Sequence, residues 1–261
     1  MPMPRIYHTE AIVLSRFELG EADRVLTLLT PHDGKLKAIA KGVRRPKSRL
    51  GGAVEPFAEL QLVLARARTF DVVTSASVGH AWLALRERLE STATAWYLAE
   101  LAERAVEERA FAYPVYALLK RAYQLLDDGM APGRVARWFE LGLADALGVR
   151  PEVERCVECD RVLEEEEEFR WAPLLGGTLC SRHLSRGADE SALSLAALKL
   201  MRAYRRLDIE AIAGLRLPAQ VESEVESALR RFIRVALERE ARSLAFLDEV
   251  RAVRRVEALR A

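Results

Sequence analysis

At Gly79 the chain changes its period, and that change sets the fold class. Before it, short segments alternate apolar and polar residues and are separated by turn residues. FAELQLVLARA alternates at Leu60, Leu62 and Leu64, and KLKAIA at Leu36, Ala38 and Ala40. A period of two puts alternate side chains on opposite faces of a strand. Beyond Gly79, residues 81–109 are rich in Ala, Leu, Glu and Arg and hold no Gly or Pro. Leu98, Leu101 and Ala105 recur there at helical spacing. A block of strands followed by a block of helices implies an α+β chain.

The first block reads as five short strands, within 7–15, 24–30, 35–42, 57–67 and 69–78. Pro31-His32-Asp33-Gly34 is the turn of a hairpin over 24–41, and Gly42 to Gly52 is a loop. Five strands with a basic loop suit a small barrel. The oligonucleotide-binding (OB) β-barrel is the leading candidate, and an SH3-like barrel gives a similar pattern. In the second block one helix starts near Pro114 and stops at Asp127-Asp128-Gly129. Another runs from Pro132 to Leu147-Gly148. Helical character returns over Ser194–Arg206 and from Pro218 onward, where Val221, Val225, Leu229 and Phe232 line one side. The expected organisation is a small barrel domain over 1–80 and helical segments over 81–150 and 188–261. Residues 151–187 interrupt the helical half, which is expected as one bundle-like unit.

Charge is concentrated in one place. Residues 35–49 carry Lys35, Lys37, Lys41, Arg44, Arg45, Lys47 and Arg49 and no acid, in a chain with Lys+Arg 40 against Asp+Glu 39. Such a segment raises the local concentration of a polyanion. Same-face neighbours on a strand lie roughly 6.6 Å apart, near the phosphate spacing of an extended single strand. These residues therefore point to a nucleic-acid backbone binder. Tyr7, Phe17, Phe57 and Phe70 are candidates for core packing or base stacking.

Between the helices lies Cys156-x2-Cys159, a twenty-residue gap, and Cys180-x2-His183. Each pair can form one corner of a tetrahedral site, and three thiolates with one imidazole suit structural zinc. Four protein ligands leave no place for a water, which favours folding support over catalysis. Buried thiols beside a surface histidine are the plainer alternative. A redox CxxC would want a preceding βα unit. Glu164–Glu168 reads as a solvated acidic loop. His8, His32 and His80 have no paired nucleophile at readable spacing, and neither a phosphate-binding Gly-rich loop nor HExxH occurs. Three cysteines, no window of about 18 apolar residues and an opening without a signal-peptide core lead to the expectation of a cytoplasmic protein.

The opening YHTEAIVLSRFELGEADRVLTLLTPHDGKLKAIAKGVRRPKSRLGG, the following EPFAELQLVL and the interrupted motif 156–183 resemble the bacterial RecO DNA-repair family, the recombination mediators. The resemblance covers nearly the whole chain, and GEADRVLTLLTPHDGKLKAIAKGVRR is its most specific piece. It implies an OB barrel, a helical domain and an embedded zinc module, with no enzymatic activity. It also implies binding of single- and double-stranded DNA, annealing of complementary strands, and exchange of single-strand-binding protein for RecA with the partner RecR. Members commonly carry four cysteines; here His183 takes the fourth place. DNA contact is implied at Lys35, Lys37, Lys41, Arg44, Arg45, Lys47 and Arg49. The helical domain would receive the tail of single-strand-binding protein, with basic residues from 199–206 and 230–234 at its rim. The rival readings are an enzyme acting on nucleic acid, which lacks a readable catalytic set, and a zinc-containing sequence-specific regulator, which would need a recognition helix.

Overall fold

The computed structural model describes residues 5–46, 48, 50–165, 168–183, 187, 189–238 and 241–258. The chain divides into two compact units, Met1–Gly129 with Arg242–Ala261, and Met130–Ala241.

In the first unit β1 (Ile6–Leu19), β2 (Asp23–Thr30), β3 (Gly34–Ala40), β4 (Glu59–Ala65) and β5 (Asp71–His80) close a barrel in the order β1-β2-β3-β5-β4. All pairs are antiparallel except β3 with β5, which meet in parallel at Ala38↔Asp71 and Ile39↔Val72. β4 closes onto β1 from Ile6↔Ala65 to Ile12↔Glu59. This closed five-stranded path is the OB arrangement. The alternating residues fill its interior: Leu36, Ala38 and Ala40 from β3, and Leu60, Leu62 and Leu64 from β4. β1 and β2 show no clean alternation, because Ile12, Leu14, Val25 and Leu29 are buried as well. Helices of the same unit cover that outer wall, and a strand buried on both faces reads as a continuous apolar run.

Residues 81–109 form two helices, α1 (Leu83–Glu87) and α2 (Leu89–Ala105), where helical spacing alone suggests one. The break is Arg88, extended at φ −110°, ψ 113°. Its guanidinium donates to the carbonyls of Leu126 and Asp127, both at 2.7 Å. These carbonyls close α3 (Tyr113–Asp127). Asp127 Oδ1 in turn accepts the Leu85 N–H at 2.8 Å. Two orphan helix ends are thus satisfied by one bent connection. Gly34 opens β3 at φ +57°, and a Cβ there would meet the Ala110 carbonyl at 2.5 Å. Only glycine lets the strand start this close to residues 107–110.

The second unit holds α4 (Pro132–Ala146), β6 (Phe169–Ala172), β7 (Gly177–Leu179), β8 (Ser191–Leu193), α5 (Leu195–Arg206), α6 (Ile209–Ala213) and α7 (Ala219–Ala236). The strands form one sheet in the order β7-β6-β8. Trp171 on β6 is fully buried and donates its Nε1–H to the Ala228 carbonyl of α7 at 2.8 Å. It fastens the sheet to the helix whose Val225, Leu229 and Phe232 are buried as the spacing suggested.

The chain then returns to the first unit as α8 (Ser243–Ala258). Glu100 of α2 accepts the N–H groups of Arg242 at 2.9 Å and Ser243 at 2.7 Å, capping the start of α8. Burial pushes the Glu100 carboxyl up, but these donors outweigh it and hold the group below its ordinary value. Glu90 pairs with Arg251 and Arg254 further along. The helices are therefore shared between the two units. Among the described residues, no helix is long and apolar enough to cross a membrane.

Candidate nucleic-acid interface and metal site

On β3 the alternation holds. Leu36, Ala38 and Ala40 face the barrel interior, while Lys37 and Lys41 are exposed. Lys35 is half-buried, and its ammonium donates to the Glu103 carbonyl of α2 at 2.7 Å. Its strand neighbours explain why: Lys35 N donates to Glu107 O, and Arg109 N donates to Lys35 O. Lys35 is thereby engaged in joining barrel to helix.

The following loop has two parts with opposite preferences. Val43 and Val54 are buried, and Leu50 packs beside them against the barrel interior. The backbone is pinned where Gly42 N donates to Asp23 Oδ1 at 2.7 Å and Arg44 N to the Ala22 carbonyl at 3.0 Å. With its apolar residues plugging the barrel end, the loop holds Lys41, Arg44 and Arg45 out in solvent. Arg44 shares its charge with Glu18 at 3.2 Å. Lys37, Lys41 and Arg45 have no ion-pair partner among the described residues, so their charge is available to a polyanion. Lys47 and Arg49 lie outside the described residues.

Of the four aromatic candidates, Phe57 is core, under the Arg86 guanidinium and edge-on to Trp96. Tyr7 hydrogen-bonds the buried Asp71, which also receives Arg109 at 2.7 Å. Burial first, then the Asp71 carboxylate, pushes the Tyr7 phenol up to about 12. Phe70 is half-buried, and Phe17 is 49% exposed on β1. Arg68, in the loop joining β4 to β5, is exposed and was missed by sequence reasoning. The signal was there: that loop borders the binding face in barrels of this type.

In the second unit the four sulfur and nitrogen ligands converge. Cys156 Sγ lies 3.8 Å from His183 Nδ1, Cys159 Sγ 3.9 Å from Cys180 Sγ, and Cys180 Sγ 3.5 Å from His183 Nδ1. All four ligand atoms fall within 4.8 Å of one another. A tetrahedral ion with metal–sulfur bonds of about 2.3 Å needs edges of about 3.8 Å, so the four groups fit one ion. Each pair sits on a tight turn: Asp160 N donates to Cys156 O, and His183 N to Cys180 O, both at 2.9 Å. Burial pushes the Cys156 thiol up, yet the surrounding N–H groups of Cys180, Cys159 and Glu158 outweigh it and hold it at about 6. A thiolate at neutral pH is the form that ligates a metal.

The basic residues of 199–206 and 230–234 are largely neutralised within their own unit. Lys199 pairs with Glu165 at 2.9 Å, Arg206 with Glu154 at 2.7 Å and Arg230 with Glu226 at 2.6 Å. Glu166 and Glu167 of the acidic loop lie outside the described residues.

The first unit also contains a buried carboxylate that sequence reasoning did not find. Glu59 is 2% exposed, accepts the Tyr116 hydroxyl at 2.7 Å, contacts His80 Nδ1 at 2.5 Å and pairs with Lys120. Burial pushes its carboxyl up, but these three donors outweigh burial and hold it below its ordinary value. Tyr116 and Lys120 are one helical turn apart on α3, but Glu59 and His80 come from separate strands, so nothing in the sequence announces the cluster.

Two family descriptions match the chain. Recombination protein O N terminal covers residues 3–82, and Recombination protein O C terminal covers residues 86–245. The chain belongs to the RecO family. Among similar RecO proteins, the DNA repair protein RecO of Roseiflexus sp. (strain RS-1) is 42% identical over 253 residues, covering 96% of this chain and 88% of that protein. The DNA repair protein RecO of Dehalococcoides mccartyi (strain CBDB1) is 32% identical over 96% of this chain and 98% of its own length. The RecO of Pelotomaculum thermopropionicum is 34% identical over 94% of each. The N-terminal RecO match ends at Trp82, two residues past β5, so it coincides with the barrel. Membership of the RecO family disfavours the sequence-specific regulator.

Proposed function

We propose that this chain is a non-enzymatic recombination mediator of DNA repair. It binds single- and double-stranded DNA through Lys37, Lys41, Arg44 and Arg45, with Lys47 and Arg49 of the same loop, while Lys35 anchors the root of the strand to the Glu103 carbonyl. The observation that carries the reading is the exposed Lys37, Lys41 and Arg45, without ion-pair partners among the described residues, on a closed OB barrel. They are held there by a loop whose own apolar residues are anchored inside. Neutralising the backbones of two complementary strands lowers their repulsion and speeds pairing. Bases stay exposed for pairing, consistent with only Phe17 standing exposed among the four aromatics considered. Together with RecR, the protein promotes RecA loading on DNA coated by single-strand-binding protein, whose tail it receives on its helices. It acts in the cytoplasm.

Zn²⁺ held by Cys156, Cys159, Cys180 and His183 would be structural, closing the loop between residues 156 and 183. This rests on the ligand distances and on four ligands filling a tetrahedron.

The test is annealing of complementary oligonucleotides coated with the cognate single-strand-binding protein, without nucleotide, over a salt series. Acceleration that fades with salt is expected. No acceleration by folded, DNA-binding protein would refute the annealing role.

A further inference from the structure

We propose that the cleft lined by Glu10 of β1, His80 at the end of β5, Trp82 and α3 takes one unstacked nucleobase of a DNA single strand. The inference rests on the DNA-binding reading above and adds a second contact to it. The cleft has a volume of about 380 Å³ and lies wholly within the first unit. Its distinguishing feature is a stack of rings: the His80 imidazole lies on the Trp82 indole at 5.7 Å between centroids, 18° from parallel. Trp82 is fixed from behind, its Nε1–H donating to Gln124 Oε1 at 3.2 Å. His80 is fixed by Glu59, yet its side chain remains 54% exposed. A ring held in place on one face and open at the other is a preformed stacking platform. Tyr113, at the start of α3 and 51% exposed, offers a second ring at the rim.

Charge selects which part of a nucleotide enters. Glu10 of β1 lines the cleft, and Glu59 lies buried behind its lining residues His80, Tyr116 and Lys120, so the interior offers a phosphate carboxylates and rings and, among the described residues, no free cation of its own. Arg121 stands on the α3 side beside Lys120, which pairs with Glu59, and phosphates flanking an inserted base would pass along this edge. An uncharged base inside with its phosphates outside satisfies both.

The cleft also lies within reach of the basic strand. β5 begins beside β3 at Asp71 and ends at His80 in the cleft. Its ten residues span roughly 30 Å, about five nucleotides of extended strand. A strand laid over Lys37 can therefore follow β5 to the cleft. Stacking is indifferent to base identity, which suits a mediator acting on any sequence.

The experiment uses the full-length protein and a 30-nucleotide oligothymidylate carrying 5-iododeoxyuridine, crosslinked by light and mapped by mass spectrometry. Binding is measured in parallel for the wild type, Tyr113→Ala and the triple variant K37A/K41A/R45A. Adducts at His80 or Tyr113 are expected, together with about tenfold weaker binding by Tyr113→Ala and an unchanged salt slope, because no charge is removed. Tyr113 is exposed, so the variant should keep the wild-type melting temperature. Adducts confined to β3 and its loop, or wild-type affinity in Tyr113→Ala, overturn the cleft. Wild-type binding by the triple variant overturns the DNA face itself, so the two failures are distinguishable.

Discussion

Alanine at Lys37, Lys41 and Arg45 removes three exposed cations that have no ion-pair partner among the described residues. Each backbone contact to single-stranded DNA contributes about 0.7 to the slope of log K against log salt. Losing three should flatten the slope by about 2. Between 50 and 200 mM salt, the affinity gap between wild type and variant should then shrink about 20-fold. Lys35→Ala is the informative control. It sits on the same strand, but its ammonium is held by the Glu103 carbonyl. Losing a charged hydrogen bond of this kind should cost about 1.5–3 kcal/mol of stability, while the salt slope stays near wild type. The assay is fluorescence anisotropy of a labelled oligonucleotide at four or five salt concentrations, with thermal melts of each variant. A triple variant with the wild-type slope would refute the assignment. A Lys35→Ala slope as flat as one third of the triple effect would show that the Glu103 contact opens in the complex.

Metal content and pH supply two further tests. Cys180→Ser should abolish stoichiometric zinc and expose the second unit to limited proteolysis before the first. A variant that keeps one zinc per chain by elemental analysis would rule out the four-ligand site. Glu59 should make stability depend on pH. Its carboxyl is held below the ordinary value of 4.5, so the unfolded chain binds its proton first. Its contribution is full above that ordinary value and is lost as pH falls through the folded one. The groups facing it are His80 from β5, Tyr116 and Lys120 from α3, and nearby Glu10 from β1. Glu59→Gln should therefore be less stable than wild type at pH 7, with the difference narrowing below pH 4.5 in urea melts. A gap that stays constant down to pH 3 would disprove this.

The sequence by itself determined the strand block, the helix block, the metal motif and the basic segment. Each of these rests on local periodicity or spacing: Leu60, Leu62 and Leu64 alternate whatever they pack against, and two x2 pairs set their own turns. The tertiary structure decided which charges are available. Lys35 and Lys37 are equivalent by alternation, and only the approach of residues 103–109 to the start of β3 sets them apart. The same holds for the basic loop, whose Val43 and Val54 look like spacers in sequence and serve as the plug of the barrel. The break at Arg88, the return of α8 to Glu100 and the Glu59 cluster depend on partners 21 to 143 residues away. No local pattern encodes such pairs, because buried polar groups take their partners from wherever the packed chain brings them.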